Sequence, residues 1–332
     1  MTPGVRRLAR TVFLGSGSFA VPVLAVLAGH AAVDLVGVVT SPPRPAGRGG
    51  KMTSSPVGAR ASALALRVLM PERLRDIESQ EAIEWLDPEL LVLADYGQIV
   101  PRSLLEMPRH GALNLHPSLL PRHRGATPIP AAILAGDRRT GVSLMRMDEG
   151  LDTGPLIAVS EVPLQGVETS PELEAVLAGV AADLLAGTLP DWLAGRLPAE
   201  QQSGKGGSLT RPLRRADGRL DPRRPATELE RQVRAYQPWP GSFLETDEER
   251  LIVWRSSVLK PPAEPVAWEN GAATVAPGTL LEVDDGLALA TVDGLLELLE
   301  VQLAGGRRMG GSEIRRGRPG IAGSRVREVA VG

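Results

Sequence analysis

The chain of 332 residues contains no cysteine. That absence excludes a disulfide framework, an iron–sulfur cluster, a thiolate zinc site and a cysteine nucleophile. Histidine is scarce too, with His30, His110, His116 and His123 making up the set. Lysine is confined to Lys51, Lys205 and Lys260, so arginine carries nearly all the positive charge. Neither sign of charge dominates: 37 basic residues face 39 acidic ones, a formal charge of −2. Any surface for a polyanion must therefore be local. No segment is expected to span a membrane. Arg6, Arg7 and Arg10 before the apolar stretch Thr11 to Ala28 look superficially like a secretory leader, but Gly15-Ser16-Gly17-Ser18 breaks the continuous apolar core that a leader needs.

What remains is an ordinary globular composition, 43% apolar and 23% charged. At about 150 residues per domain the length suggests two domains. Short apolar runs at Thr11 to Leu14, Val33 to Thr40, Glu89 to Ala94, Gly111 to Leu115 and Gly141 to Met147 alternate with helical stretches. That alternation implies an α/β fold, a Rossmann-like parallel sheet with flanking helices. Helices are expected near Phe19 to Leu27, Pro128 to Ala135 and Pro171 to Leu185, the last capped by Ser170 and ended by Gly187 and Pro190. The low-complexity stretch Gln201 to Ser208 looks like a linker, which divides the chain into 1–200, a linker at 201–213 and a second domain at 214–332. Beyond it, a helix at Thr227 to Ala235 precedes closely spaced candidate strands at Gly241 to Glu245, Leu251 to Ser257, Gly278 to Val283, Gly286 to Thr291 and Leu295 to Gln302. Such spacing suggests a small β-barrel, of which the OB-type is one.

Two polar segments stand out. In Asn114-Leu115-His116-Pro117-Ser118-Leu119-Leu120-Pro121 an amide and an imidazole lie two residues apart after an apolar run, so on a strand end both face one way. Together they can hold an oxygen that becomes negative during a reaction, or else Asn114 satisfies a turn and His116 packs on Pro117. The loop Asp148-Glu149-Gly150-Leu151-Asp152-Thr153-Gly154-Pro155 offers carboxylates that can orient the imidazole and move a proton, or can serve as turn caps.

These segments carry a family resemblance. GSGSFAVPVL, SPPRPAGRGGK, ADYGQIVP, LEMPRHGALNLHPSLLPRHRGATPI, TGVSLMRMDEGLDTGPLI and AYQPWPGSF together resemble the methionyl-tRNA formyltransferases, a branch of the folate-dependent formyltransferase family, over essentially the whole chain. The resemblance implies transfer of a formyl group from 10-formyltetrahydrofolate to the α-amino group of methionine on initiator tRNA, for translation initiation. It places the catalytic residues on Asn114, His116 and Asp152, with Asn114 and a protonated His116 holding the oxyanion and Asp152 keeping His116 charged and relaying the amine proton, through a bound water, towards the departing folate nitrogen. It assigns the folate pocket to Asp95, Tyr96, Gly97, Gln98 and Ile99, to Ser118, Leu119, Leu120 and Pro121, and to the backbone around Asp148 and Gly150. It needs no metal, and it implies a cytoplasmic monomer without a membrane.

For the RNA, the loop Ser41 to Lys51 offers Arg44, Arg48 and Lys51 with no acidic residue. Arg214 and Arg215 lie just past the linker, and an OB-like tRNA-binding domain is expected there. Arg307, Arg308, Arg315, Arg316, Arg318, Arg325 and Arg327 face only Glu313 and Glu328 nearby in sequence, a basic stripe suited to phosphates.

The chain departs from the family pattern in three places. The usual G-T-P-x-F turn is Gly15-Ser16-Gly17-Ser18-Phe19 here, which creates a literal G-x-G-x-x-A ending at Ala20. That is the dinucleotide fingerprint, but Thr40 rather than an acid ends the second strand, where a ribose ligand belongs. His123 replaces a common aromatic and is expected to be structural. Pro212 replaces a common lysine. Three rival readings stay open: a nicotinamide-dependent oxidoreductase, a formyltransferase acting on a small amine such as glycinamide ribonucleotide or an amino sugar, and an RNA-binding protein with a decayed catalytic domain.

Overall fold

A computed structural model describes residues 8–47, 49–259 and 275–327. The chain forms two compact units, one of Met1–Ile129, Arg138–Leu164 and Glu172–Pro212, the other of Pro130–Asp137, Gln165–Pro171 and Leu213–Gly332. In chain order the elements up to residue 210 are β1 (Ala9–Gly15), α1 (Ala20–Gly29), β2 (Val33–Val39), β3 (Arg44–Ala46), β4 (Lys51–Thr53), α2 (Pro56–Ala63), β5 (Val68–Leu69), α3 (Ile77–Glu84), β6 (Leu90–Ala94), α4 (Arg102–Glu106), β7 (Ala112–His116), β8 (Arg124–Gly125), α5 (Pro128–Ala135), β9 (Arg139–Arg146), β10 (Leu156–Pro163), α6 (Ser170–Leu193) and β11 (Leu209–Thr210).

The main sheet runs β10-β9-β7-β6-β1-β2-β5. Val12, Phe13 and Leu14 of β1 are wholly buried, as a central strand covered on both faces requires. The apolar stretch after Arg10 is thus a core strand, followed by a helix that buries Ala20, Val23, Leu24 and Leu27. β5, β2, β1, β6 and β7 are parallel, while β9 runs antiparallel to β7 and β10 antiparallel to β9. The sheet is therefore mixed rather than wholly parallel. The connection between β9 and β10 is too short for a crossover, so that pair can only be antiparallel.

The helix expected to stop near Gly187 and Pro190 continues to Leu193. Proline lacks the N–H that would bond the preceding turn, but Leu185 and Leu189 are buried and the Trp192 indole donates to the His110 carbonyl at 3.0 Å. Tertiary packing outweighs the local breaker, and the helix gives way to Gly195 at φ +69°. α6 is long and apolar enough to cross a membrane, yet its stripe of Leu173, Leu177, Ala181, Leu185 and Leu189 is buried inside the protein.

The second unit comprises α7 (Ala226–Ala235), β12 (Ser242–Glu245), β13 (Arg250–Leu259), β14 (Leu280–Val283), β15 (Gly286–Ala290), β16 (Leu295–Leu303), β17 (Arg308–Gly310) and α8 (Gly311–Gly317). Its antiparallel sheet runs β12-β13-β16-β15-β14, with β17 also on β16. Leu229 and Val233, one turn apart on α7, join Leu251, Val253, Leu289, Leu296, Leu298 and Val301 in one core. Register shifts between Val253 and Ser256 bend β13 over this core. Among the described residues no pairing of β12 with β14 closes the sheet into a barrel.

Candidate active site

Alternation along β7 puts Asn114 and His116 on one face of the sheet. The loop between β9 and β10 folds back to that face. Its shape is set by Asp148, whose Oδ1 accepts from the Gly150 amide at 3.0 Å and the Thr153 hydroxyl at 2.7 Å, an Asx-turn. Glu149 pairs with Arg102 at 3.0 Å. Gly154 has to be glycine, since a Cβ there would lie 1.9 Å from the Arg146 carbonyl oxygen. The loop thereby delivers Asp152. Its Oδ2 accepts from the Gly125 amide at 2.8 Å and lies 3.6 Å from His116 Nδ1, while its Oδ1 is 3.5 Å from Asn114 Nδ2. The three residues expected to act together do converge.

His116 is 5% exposed. Burial pushes its imidazole below the ordinary histidine value, the Asp152 carboxylate and the bond to the His123 carbonyl pull it back up, and the His123 ring lowers it again. Burial wins. One carboxylate at 3.6 Å offsets desolvation only in part. Burial thus favours the neutral imidazole, the carboxylate beside it favours protonation, and an amide donor lies next to both. Such a trio can take a proton from an attacking amine and hold a developing oxyanion.

The segments expected to line a folate pocket leave the carboxyl ends of adjacent strands. Asp95 to Ile99 follow β6 and Ser118 to Pro121 follow β7, the edge where open α/β sheets receive ligands. Asp95 and Gly97 adopt positive φ, +44° and +82°. The Tyr96 ring packs with Leu74, Val100 and Leu104. Its hydroxyl has no hydrogen-bond partner among the described residues, and burial pushes it up to about 12, so it stays a donor. Gln98 is spent on the scaffold, accepting from the Leu74 amide at 2.8 Å, whereas Ile99 is 91% exposed. Ser118 donates to the Arg122 carbonyl at 2.6 Å and the Leu120 amide donates to Ser143 Oγ at 3.1 Å, which fixes the Ser118 to Pro121 turn with its cis Leu120–Pro121 bond.

The dinucleotide-like turn is used internally. The Ser16 and Gly17 amides both donate to the Asp95 carbonyl, at 2.9 and 3.3 Å, leaving them engaged rather than turned to a pyrophosphate. A Cβ on Gly17 would lie 1.6 Å from Asp95 Oδ2, so glycine there makes room for the carboxylate. Desolvation and then Glu174 raise the Asp95 pKa.

Of the expected RNA contacts, Arg44 and Lys51 are exposed on the β3–β4 hairpin, and Arg48 lies outside the described residues. Arg214 and Arg215 are exposed where a short 3-10 helix begins. Most arginines of the expected C-terminal basic stripe have carboxylate partners. Arg307 pairs with Glu313, Arg308 lies 3.6 Å from Glu300 and 3.7 Å over the Trp254 ring, Arg315 meets Glu282 and Asp285, Arg318 meets Glu249, and Arg327 meets Asp247. Glu282 and Glu300 come from other strands and Asp247, Glu249 and Asp285 from turns between strands, so counting neighbours in sequence overstates the local charge. Glu328 is outside the described residues.

Sequence reasoning missed Arg124, Gln202 and Ser208. Gln202 Nε2 donates to the carbonyls of Asp152 and Gly154, both at 2.8 Å, and Ser208 Oγ accepts from the His123 amide at 2.9 Å. β11 pairs with β8 in parallel. The Gly/Ser-rich stretch read as a linker thus carries side chains that hold the site loops, a role its composition does not signal.

The chain matches known proteins along its length. The sequence model of the family described as "Formyl transferase" matches residues 9–189, and that of "Formyl transferase, C-terminal domain" matches residues 212–319. The curated methionyl-tRNA formyltransferase of Halorhodospira halophila (strain DSM 244 / SL1) is 43% identical over 320 residues, covering 96% of this chain and 99% of the relative. That of Roseiflexus sp. (strain RS-1) is 41% identical over 308 residues, covering 93% and 92%. Among solved structures, an N-formyltransferase from Helicobacter canadensis in complex with folinic acid and dTDP-3-aminofucose aligns at a TM-score of 0.61 and 15% identity, over 91% of this chain and 100% of that one. That likeness speaks to the fold.

Proposed function

The chain belongs to the methionyl-tRNA formyltransferase family, and on that premise we propose that Asn114, His116 and Asp152 transfer the formyl group of 10-formyltetrahydrofolate to the α-amino group of methionyl initiator tRNA, giving N-formylmethionyl-tRNA. The observation that carries the reading is the gathering of an amide, an imidazole and a carboxylate around one face of β7.

When the amine nitrogen bonds to the formyl carbon, the carbonyl oxygen gains negative charge and the nitrogen gains positive charge. Asn114 supplies an N–H to the oxygen. The neutral His116 accepts the surplus proton from nitrogen on Nδ1, and Asp152 stabilises the imidazolium that results. As the carbon–nitrogen bond to the folate breaks, that proton passes, through water, to the departing folate nitrogen, and His116 returns to its neutral state. Charge appears only when it is needed, which agrees with the lowered resting pKa. Asp95 to Ile99 and Ser118 to Pro121 bind the pterin, with the Tyr96 hydroxyl as an available donor, and the Asp148 to Gly150 backbone closes the pocket. The residues need no metal for these steps.

Arg44, Arg48 and Lys51, with Arg214 and Arg215, meet the tRNA phosphates; the exposure of Arg44, Lys51, Arg214 and Arg215 and the absence of acids in the 41–51 loop support that role. Such a substrate implies work in the cytoplasm. The test is incubation of the purified full chain with labelled formyl donor and methionylated initiator tRNA. Label on the methionine amine is expected. Label on glycinamide ribonucleotide or an amino sugar, with none on tRNA, favours the small-amine reading instead. A truncation after Gly204 is no substitute, because it removes Ser208 and β11 from the site.

A further inference from the structure

His123 at φ +56° and Asp152 at φ +53° both have a left-handed backbone, which side chains with a Cβ resist. Both are held by the 202–210 segment. The Asp152 carbonyl accepts from Gln202 Nε2 at 2.8 Å, and the same amide group reaches the Gly154 carbonyl at 2.8 Å. Gln202 Oε1 in turn accepts from Arg124 Nη2 at 2.6 Å and Nε at 3.1 Å. Arg124 precedes Gly125, whose amide donates to Asp152 Oδ2 at 2.8 Å. A ring of contacts therefore grips Asp152 at both its carbonyl and its carboxylate.

We propose that Gln202, seated on Arg124, is a positioning residue for formyl transfer: it clamps the Asp152–Gly154 backbone and so keeps the Asp152 carboxylate within reach of His116 Nδ1. The proposal rests on the role given to Asp152 above. Glutamine suits the place because two carbonyls need two N–H donors from one side and a guanidinium needs an acceptor from the other. Glutamate offers no donor, and lysine no acceptor. A plain brace, by contrast, would stabilise the loop without influencing the imidazole.

The experiment reads the imidazole itself. With four histidines in the chain, long-range nitrogen–proton NMR of the full-length protein can follow each ring through pH, and His116→Gln assigns the signal. Asp152 and the His123 ring are the ionisable groups that face His116. In Gln202→Leu the His116 midpoint is expected to fall towards its value in Asp152→Asn, because the carboxylate opposing burial has moved off. kcat should fall by up to about 10²-fold with KM little changed, the usual effect of a displaced catalytic group. Gln202→Met, which keeps the side-chain length and loses both donors without adding a charge, is expected to behave the same way and serves if the leucine variant does not fold. An unmoved His116 midpoint overturns the proposal, whatever happens to the urea midpoint. Because the titration needs no substrate, a shifted midpoint in a protein that fails to formylate tRNA would sink the functional reading and leave the clamp standing.

Discussion

His116 Nε2 donates to the backbone carbonyl of His123 at 2.9 Å. A carbonyl can only accept, so this contact puts the hydrogen on Nε2 and leaves Nδ1 as the lone-pair nitrogen in the neutral ring. Nδ1 is the atom 3.6 Å from Asp152. The tautomer that a base needs is thereby selected by a backbone atom seven residues further along the chain.

Asn114→Ala removes the N–H offered to the oxyanion and leaves the pocket walls intact. Loss of one such donor costs about 10² to 10³ in kcat, and KM should change little. Steady-state kinetics with methionylated tRNA measure this, and a near-native kcat would take Asn114 out of the mechanism.

Gly154→Ala brings a Cβ to 1.9 Å from the Arg146 carbonyl oxygen, a backbone atom that cannot swing aside. Overpacking of this kind costs about 1–3 kcal/mol. The loop must shift, and Asp152 with it, so kcat should fall alongside the urea midpoint. A variant that loses stability and keeps full kcat would show that the placement of Asp152 tolerates the shift.

Stability should decline as pH falls from neutrality. His116 and His110 both lie below the ordinary histidine value, chiefly through burial. Below about pH 6.5 the unfolded chain binds protons that the folded one refuses, so stability rises with pH there, by at most about 1.4 kcal/mol per pH unit for each histidine. The loss begins at the unfolded value and ends once pH passes the folded one. Asp95 works in the opposite sense, since its raised pKa makes protonation favour the fold, and so the histidine slope is cleanest above the carboxylate range. Urea unfolding at a series of pH values reads it. His116→Gln, which keeps a donor towards the His123 carbonyl, should flatten the slope; an unchanged slope would mean that His116 titrates normally in the fold.

Arg44→Ala and Lys51→Ala should weaken tRNA binding and reduce the slope of log K against log salt by about one each, the signature of a lost phosphate contact. Arg307→Ala should change that slope less, because Arg307 already pairs with Glu313. Filter binding across a salt series separates the two classes, and equal slope changes would return the C-terminal stripe to the RNA surface.

The legible parts of this protein were those with a local signature. The buried β-branched and leucine runs of β1, β6 and β7 announce core strands by composition, and Asn114 and His116 share a face because a strand repeats every two residues. Pro190 misled because a breaker's local cost was outweighed by the burial of Leu185 and Leu189 across the fold. The partners of the arginines after Leu303 were not legible for a related reason, since carboxylates such as Glu249 and Glu282 arrive from segments distant in sequence.

From the order of its residues alone the chain determines its central strands, its family and the identity of the amide, imidazole and carboxylate, since each depends on side-chain type and short-range spacing. Tertiary structure alone decides that burial lowers the His116 pKa, that the β9–β10 loop turns back over β7, and that a stretch with the composition of a linker grips Asp152. Desolvation and hydrogen-bond closure depend on which distant atoms become neighbours, and only the folded chain brings Gln202 and Asp152, fifty residues apart, into contact.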